Sequence, residues 1–204
     1  MIFVVLDRLV FWFLKYVVGG IWKLHLVAKG VIFSKLRGVT VIGKPIVRLA
    51  HKSQLKFGRN VVLMSSSKYC YSGTLYSNCK FQTITRTAKI IIGDDVSFNG
   101  TSVVCRSTSI FIGSRTMFGP NVTILDSPFH PVSPKQNRNH YPGTELDKPI
   151  YIGEDVWIGS RVIVLPGSKI GDGSVIGAGS VVSGLIPENV LAIGSPAIAV
   201  KNLV

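Results

Sequence analysis

Ile150-Tyr151-Ile152-Gly153-Glu154-Asp155-Val156-Trp157-Ile158-Gly159-Ser160-Arg161-Val162-Ile163-Val164 sets a period of six that the chain then keeps. Ile152, Ile158, Val164, Ile170, Ile176 and Val182 are evenly spaced. Gly follows at 153, 159, 171 and 177, and Val156, Val162, Ser168, Ser174, Ser180 and Ile186 stand four residues after the branched position. This is neither the 3.6-residue period of an amphipathic helix nor a plain alternation. It fits a three-sided solenoid in which one branched residue per side points inward and stacks on its equivalent in the next coil. Gly or Asn supplies corner conformations that a β-branched residue resists, and stacked coils bury one continuous core.

The hexads recur upstream at Ile92, Phe98 and Val104, then at Ile112, Phe118 and Ile124 after a two-residue slip, with fainter copies near Ile42 and Phe57. Five to seven coils of about eighteen residues follow from this repeat. The reading divides the chain into a helical segment over 1–37 and a solenoid over 38–204, with a loop over 126–149 and a short C-terminal tail. Little helix is expected outside the termini.

Composition narrows the function. The 204 residues suit one domain or one elongated array, and 47% hydrophobic with 16% charged residues excludes global disorder. Lys and Arg number 23 against 10 Asp and Glu, a net charge of +13, which calls for an anionic partner. Cys70, Cys79 and Cys105 form neither a CxxC pair nor an even set, so a zinc knuckle and a secreted disulfide framework lack support and a reducing cytosol is expected. No Walker-type phosphate loop or Rossmann fingerprint occurs, so neither nucleotide hydrolysis nor dinucleotide redox chemistry is supported.

Residues 2–31 are rich in Val, Leu, Phe and Trp, but the unbroken apolar stretch over 9–14 is far short of the roughly 18 residues that cross a bilayer. The segment lacks a leading basic region and a small-x-small cleavage site, so it reads as retained. At about 100° per residue, Asp7, Arg8, Lys15, Lys23, His25 and Lys29 fall on one face, and Phe11, Phe13, Leu14, Val18 and Ile21 are assigned to the other. That is the pattern of a basic amphipathic helix in a membrane interface, with Gly19-Gly20 allowing a break. The alternative is a helix packing its apolar side on its own protein or a neighbouring subunit. The first reading places the protein in the cytoplasm, peripheral on the inner face of the plasma membrane.

Between Ile124 and Ile152 lie 28 positions, not a multiple of six, so a loop leaves the column there. Pro128, Pro131, Pro134, Pro142 and Pro149 stiffen it, and His130 and His140 lie on it. Imidazole suits proton removal from a hydroxyl at neutral pH.

The chain resembles the bacterial hexapeptide-repeat O-acetyltransferases, the maltose and galactoside acetyltransferase-like and polysaccharide-modifying branch. The resemblance covers residues 39–201. It is carried by Lys148-Pro149 running into the stretch quoted above, by Pro166-Gly167, by Ile176-Gly177-Ala178-Gly179-Ser180-Val181-Val182 and by Gly194-Ser195-Pro196-Ala197. It implies an all-β fold, a left-handed parallel β-helix, against the usual crossover hand. It also implies an acetyl-CoA co-substrate, no metal and a homotrimer with sites between columns.

By the same resemblance, His130 in Phe129-His130-Pro131 is the general base, Glu145 holds the acceptor or the imidazole, and Asn99 contacts the acceptor hydroxyl. The backbone N–H of Ser160 meets the developing oxyanion, Trp157 flanks the acceptor and thioester, and Ala178 lies against the pantetheine arm. Where relatives carry Lys or Arg two residues after the proline of Gly-x-Pro, this chain has Ile198, leaving Lys201 for the coenzyme phosphates.

The expected activity is O-acetylation of a sugar hydroxyl in a surface polysaccharide, O-antigen or lipid-linked precursor, by direct attack in a ternary complex. Two alternatives stay open: N-acetylation of a nucleotide-linked amino sugar, and a non-catalytic basic binding scaffold. Nucleic acid is not an expected partner, because the aromatics concentrate near the N-terminus rather than interleaving with basic residues. A zinc carbonic anhydrase on the same solenoid would need regularly placed histidines, and His51, His130 and His140 are not so placed.

Overall fold

The computed structural model describes Val10 and residues 12–131 and 143–203. Among these residues seven coils stack, the first six laying one short strand on each of three faces and the seventh on two. The first coil holds β1 (Ile32–Phe33), β2 (Thr40–Gly43) and β3 (Ile46–Arg48), the second β4 (Gln54–Phe57), β5 (Val62–Ser65) and β6 (Lys80–Thr83), and the third β7 (Lys89–Ile92), β8 (Ser97–Asn99) and β9 (Ser102–Cys105). The fourth holds β10 (Ser109–Ile112), β11 (Met117–Pro120) and β12 (Thr123–Leu125), the fifth β13 (Ile150–Ile152), β14 (Trp157–Ile158) and β15 (Ile163–Val164), and the sixth β16 (Lys169–Ile170), β17 (Val175–Ile176) and β18 (Val181–Val182). The last holds β19 (Leu185–Ile186) and β20 (Val190–Gly194), after which β21 (Ala197–Asn202) turns back antiparallel along β20. Every other pairing is parallel and joins a strand to its equivalent one coil away. The faces are β1-β4-β7-β10-β13-β16-β19 (face A), β2-β5-β8-β11-β14-β17-β20-β21 (face B) and β3-β6-β9-β12-β15-β18 (face C). The chain is a left-handed parallel β-helix.

The hexad residues Ile152, Ile158, Val164, Ile170, Ile176 and Val182 are fully buried and in register along the three faces. Burying each contributes about 1.5–3 kcal/mol. Buried Ser168 and Ser174 donate their hydroxyls to the carbonyls of Leu165 (2.7 Å) and Pro187 (2.7 Å), so the small position also satisfies corner backbone. Upstream, the third coil departs from the expected phase. Val103, not Val104, pairs with Ile124 and Phe81, because Gly100 (φ 56) turns the corner one residue early. Val41 rather than Ile42 aligns with Leu63, yet Ile42 is also buried, on the strand against which the helix packs.

A π-helical turn, Leu14–Val18, runs into α1, Gly19–Ala28. Leu26 joins the core with Val31 and Val39, and the helix packs on β2, an end strand of its sheet. The helix does not pack its apolar side on the column. Gly19 and Leu26 are buried and Trp22, Lys23 and His25 half-buried, whereas Phe13, Val17, Ile21, Leu24 and Val27 are exposed. A small residue at 19 and the flat ring of Trp22, with Lys44 over it at 5.6 Å, seat the helix on its mixed side. Its strongly apolar side is left outward. Asp7, Arg8 and Phe11 lie outside the described residues. No helix among those described is long and apolar enough to cross a membrane. The first strand, Ile32–Phe33, lies ahead of residue 38, in a stretch too short to carry a hexad.

Candidate active site

The residues singled out from sequence fall on two different corners of the prism. The loop after β12 leaves where face C turns into face A. Its described parts, residues 126–131 and 143–149, carry His130 and Glu145, both exposed, while His140, Pro134 and Pro142 lie outside the described residues. The other corner joins face B to face C and stacks Asn99, Pro120, Ser160 and Ala178 in successive coils. Pro120 is in register with Asn99, and the N–H of Arg161 and Gly179 donate to the carbonyls of Pro120 and Ser160 (both 2.8 Å). Within one chain, the strands of face C separate the imidazole from Ser160 and Ala178.

Both ends of the His130 loop are tied to a buried polar cluster that periodicity did not reveal. Asp126 accepts from the backbone N–H of Arg106 (2.6 Å) and Thr108 (3.0 Å) and from the Thr108 hydroxyl (2.8 Å). The Arg106 guanidinium, about as buried as any core residue, meets Asp147 at 3.4 Å and donates to Ser127 (3.2 Å) and to the Gly143 carbonyl (3.0 Å). Ser107 donates to the other Asp147 oxygen at 2.5 Å. The entry (Asp126, Ser127) and the exit (Gly143, Asp147) of the loop are thereby held to one cation. Pro128, Pro131, Leu146, Lys148 and Pro166, the first two flanking His130 in the chain, line a hollow of about 330 Å³. No spacing in the sequence singles out the charges at 106, 126 and 147 from the others in that stretch, at 115, 135, 138 and 145.

At the other corner, a groove of about 460 Å³ is lined by Ser160, Arg161, Ala178, Gly179, Pro120 and Asn121 on the column and by Ser72, Gly73, Thr74 and Tyr76 across from them. The second wall is an excursion over 66–79 between β5 and β6, hidden from sequence reading because it carries no hexad. It reaches three later coils. Asn121 fastens it by accepting from the N–H of Tyr76 (2.8 Å) and donating to the Thr74 carbonyl (2.8 Å). Gly100 lets it approach, since a Cβ there would stand 2.7 Å from the Ser77 carbonyl oxygen. Gly159 likewise lets coils five and six close up beside Ser160, as a Cβ would meet the Ala178 nitrogen at 2.6 Å.

The remaining expected residues are placed as follows. Asn99 spends its amide donor on the Phe118 carbonyl (2.7 Å) and accepts from the Cys70 thiol (3.7 Å), so part of its capacity is structural. Trp157 is half exposed on face B between Met117 and Val175. Lys201 is exposed on β21 opposite Leu191, at the C-terminal end of that face. Burial pushes the thiols of Cys79 and Cys105 up, with the Asp126 charge adding at Cys105, so neither is a thiolate nucleophile at neutral pH. Among the described residues, no three or more of His, Cys, Asp and Glu gather as metal ligands.

The column is thus interrupted in its second coil and after its fourth, with His130 on the later interruption and a groove of mostly small residues at the next corner. Residues 149–184 match the bacterial transferase hexapeptide (six repeats) family. The chain is similar to galactoside O-acetyltransferase of Lactococcus lactis, 46% identical over 111 residues that make up 54% of this chain and 52% of that protein. It is also similar to a putative lipopolysaccharide biosynthesis O-acetyl transferase, WbbJ, of Escherichia coli, 38% identical over 118 residues covering 55% and 60% of the two chains. The chain thus spans little more than half the length of the curated relatives it matches. Among solved structures, AntD, an N-acyltransferase from Bacillus cereus in complex with dTDP and 3-hydroxybutyryl-CoA, superposes with a TM-score of 0.65 at 14% identity, covering 88% of this chain and 86% of that one. The resemblance to the hexapeptide-repeat O-acetyltransferases is therefore shown, and the shared architecture extends across most of the chain.

Proposed function

We propose that the protein is an acetyl-CoA-dependent O-acetyltransferase that modifies a sugar hydroxyl of a surface polysaccharide, O-antigen or lipid-linked precursor. The observation that carries this reading is the clamped loop presenting His130 on the same column as the groove of Ser160 and Ala178, joined to the similarity to sugar O-acetyltransferases. The groove suits a long flexible thioester. It is open, lined mostly by small residues, and free of acidic residues; the carboxylates at 94, 95, 154, 155, 172 and 188 lie where face A meets face B and Asp126 where face C meets face A.

In the proposed reaction His130 takes the proton of the acceptor hydroxyl as its oxygen bonds to the acetyl carbon. The Ser160 N–H holds the developing oxyanion, a contact worth about 3 kcal/mol. The carbon–sulfur bond then breaks, and the imidazolium returns its proton to the leaving sulfur. Trp157 flanks the acceptor, Asn99 and Glu145 orient it, Ala178 lies against the pantetheine arm, and Lys201 serves the coenzyme phosphates. Because face C separates His130 from the groove within one chain, a second copy must bring the two corners together, which supports a homotrimer with sites at its seams.

The outward apolar side of α1 supports contact with a membrane interface. Residues 8–93 carry fifteen Lys and Arg and no acid, which adds attraction to anionic lipid. Since Leu26 closes the core, the test is Ile21→Asp with Leu24→Asp rather than removal of the segment. Liposome binding is expected to be lost, and unchanged binding would refute the contact.

The decisive experiment follows free CoA from acetyl-CoA over a panel of saccharides. His130→Ala is expected to lower turnover by about 10² to 10⁴. Turnover equal to wild type removes the assigned base, and turnover confined to amino sugars moves the reaction to nitrogen.

A further inference from the structure

Two arginines sit at corners with left-handed backbone, Arg115 (φ 60) and Arg161 (φ 59), a conformation uncommon outside Gly and Asn. Each holds its place at some steric cost, so each invites the question of what its guanidinium is for. Arg115 answers it within the fold. It donates to both oxygens of Asp155 (2.7 Å each) and to Glu154 (2.6 Å). Arg161 has no such partner: no carboxylate pairs with it among the described residues, and its corner of the prism carries no acid in any coil. Equivalent corners are turned by Gly100, Asn121 and Gly179, so an arginine is not required to make the turn.

Tyr76, on the excursion that walls the groove, holds this cation in place. The guanidinium carbon lies 5.2 Å from the ring centre, and Arg161 Nη2 donates to the Tyr76 hydroxyl. A cation–π contact orients a guanidinium without neutralising it, so the positive charge stays available inside the groove. Asn121 fastens the Tyr76 loop and thus completes the support.

We propose that Arg161, steadied by Tyr76, is a binding site for an anionic group of the acceptor, so that the preferred substrate is an acidic saccharide carrying a carboxylate or phosphate near the acetylated hydroxyl. The location favours the acceptor over the donor. This inference rests on the reading of Ser160 as the oxyanion donor. Arg161 is the next residue, whereas the donor's own phosphates are separated from its thioester by the whole pantetheine arm. Arginine matches both anions, since its planar fork takes a carboxylate or phosphate in a bidentate manner.

Binding of methyl glucoside, methyl glucuronide and methyl glucoside 6-phosphate is measured by calorimetry, which requires no turnover, and acetyl-CoA and acceptor KM are measured in parallel. The wild type is expected to bind one of the two anionic sugars about ten- to a hundredfold more tightly than the neutral one, the worth of a charge-assisted hydrogen bond. Arg161→Gln should erase the difference with acetyl-CoA KM unchanged, and Arg161→Lys should restore part of it. Unfolding midpoints confirm that the variants fold. Equal affinity for all three sugars, no binding of any, or a raised acetyl-CoA KM with acceptor binding intact in Arg161→Gln would overturn the proposal. A failure of the His130 test with anion selectivity intact would instead sink the transferase reading alone.

Discussion

Coils one to three and coils five to seven share one architecture but are built from different chemistry. In the first group the core is an aromatic chain. Phe33, Phe57, Phe81, Phe98 and Phe118 touch in sequence, with ring centres 5.7, 5.2, 5.3 and 4.8 Å apart, the last pair stacked in the fourth coil. In the second group the core is mainly Ile and Val, six residues apart from Ile152 to Val182 and closing on Ile186 and Ala192, with buried serines bonding the corners. Charge divides in the same way. The net excess of positive charge resides entirely in residues 8–93, and from Asp94 onward acids slightly outnumber bases. Regular coils need few exceptions, so their faces stay plain. Irregular coils accommodate a helix and an excursion, and larger rings fill the space that uneven corners leave.

The contrast can be broken most directly in the core. Phe98→Ala should lower stability by about 3–5 kcal/mol, because Phe81 and Phe118 each lose a ring contact, whereas Ile176→Val should lower it by about 0.5–1.5 kcal/mol. Urea unfolding measures both, and a Phe98→Ala protein within 1 kcal/mol of wild type would show that the aromatic chain is not what stabilises the early coils. Comparable in size is the junction between the two regions. Arg106→Met strands Asp147 in the interior, with an expected loss of about 3–5 kcal/mol, and should free the loop, so that protease cleavage near His130 accelerates. Unchanged cleavage would mean that the cation does not hold the loop.

A smaller effect is expected at the groove. Asn121→Ala removes two hydrogen bonds of about 1 kcal/mol each and should expose the 66–79 excursion to limited proteolysis while coils five to seven stay protected. The smallest effect lies at the acidic corner. Arg59 and Arg115 hold the Asp94 and Asp155 carboxyls below the usual carboxylate range, chiefly through hydrogen bonds. A lowered carboxylate contributes stability that is complete above its unfolded value, about 3.9, and fades as pH falls through the lowered one. The melting-point gap between wild type and Arg115→Gln should therefore be small at pH 6, given the exposure of these pairs, and should close on acidification. A gap that widens would reverse the sign.

How much of the site was legible follows the same division. A broken period points to the loop that carries His130 and His140, whereas the choice of His130, Ser160 and Ala178 as site residues comes from the resemblance to the hexapeptide-repeat O-acetyltransferases and not from spacing. Arg106, Asp147, Tyr76 and Arg161 carry no period. Arg106 and Asp147 are 41 residues apart and Tyr76 and Arg161 are 85 apart, so each pair meets only once the coils have stacked.

The sequence alone determined the column, because inward stacking of one branched residue per six is a local rule that each coil repeats with its neighbour. The three-dimensional structure decided which corner each functional residue occupies, that the helix turns its apolar side outward, and that a distant excursion walls the groove. Those outcomes depend on contacts between residues far apart in the chain, where packing and buried charge select the arrangement and no spacing records it.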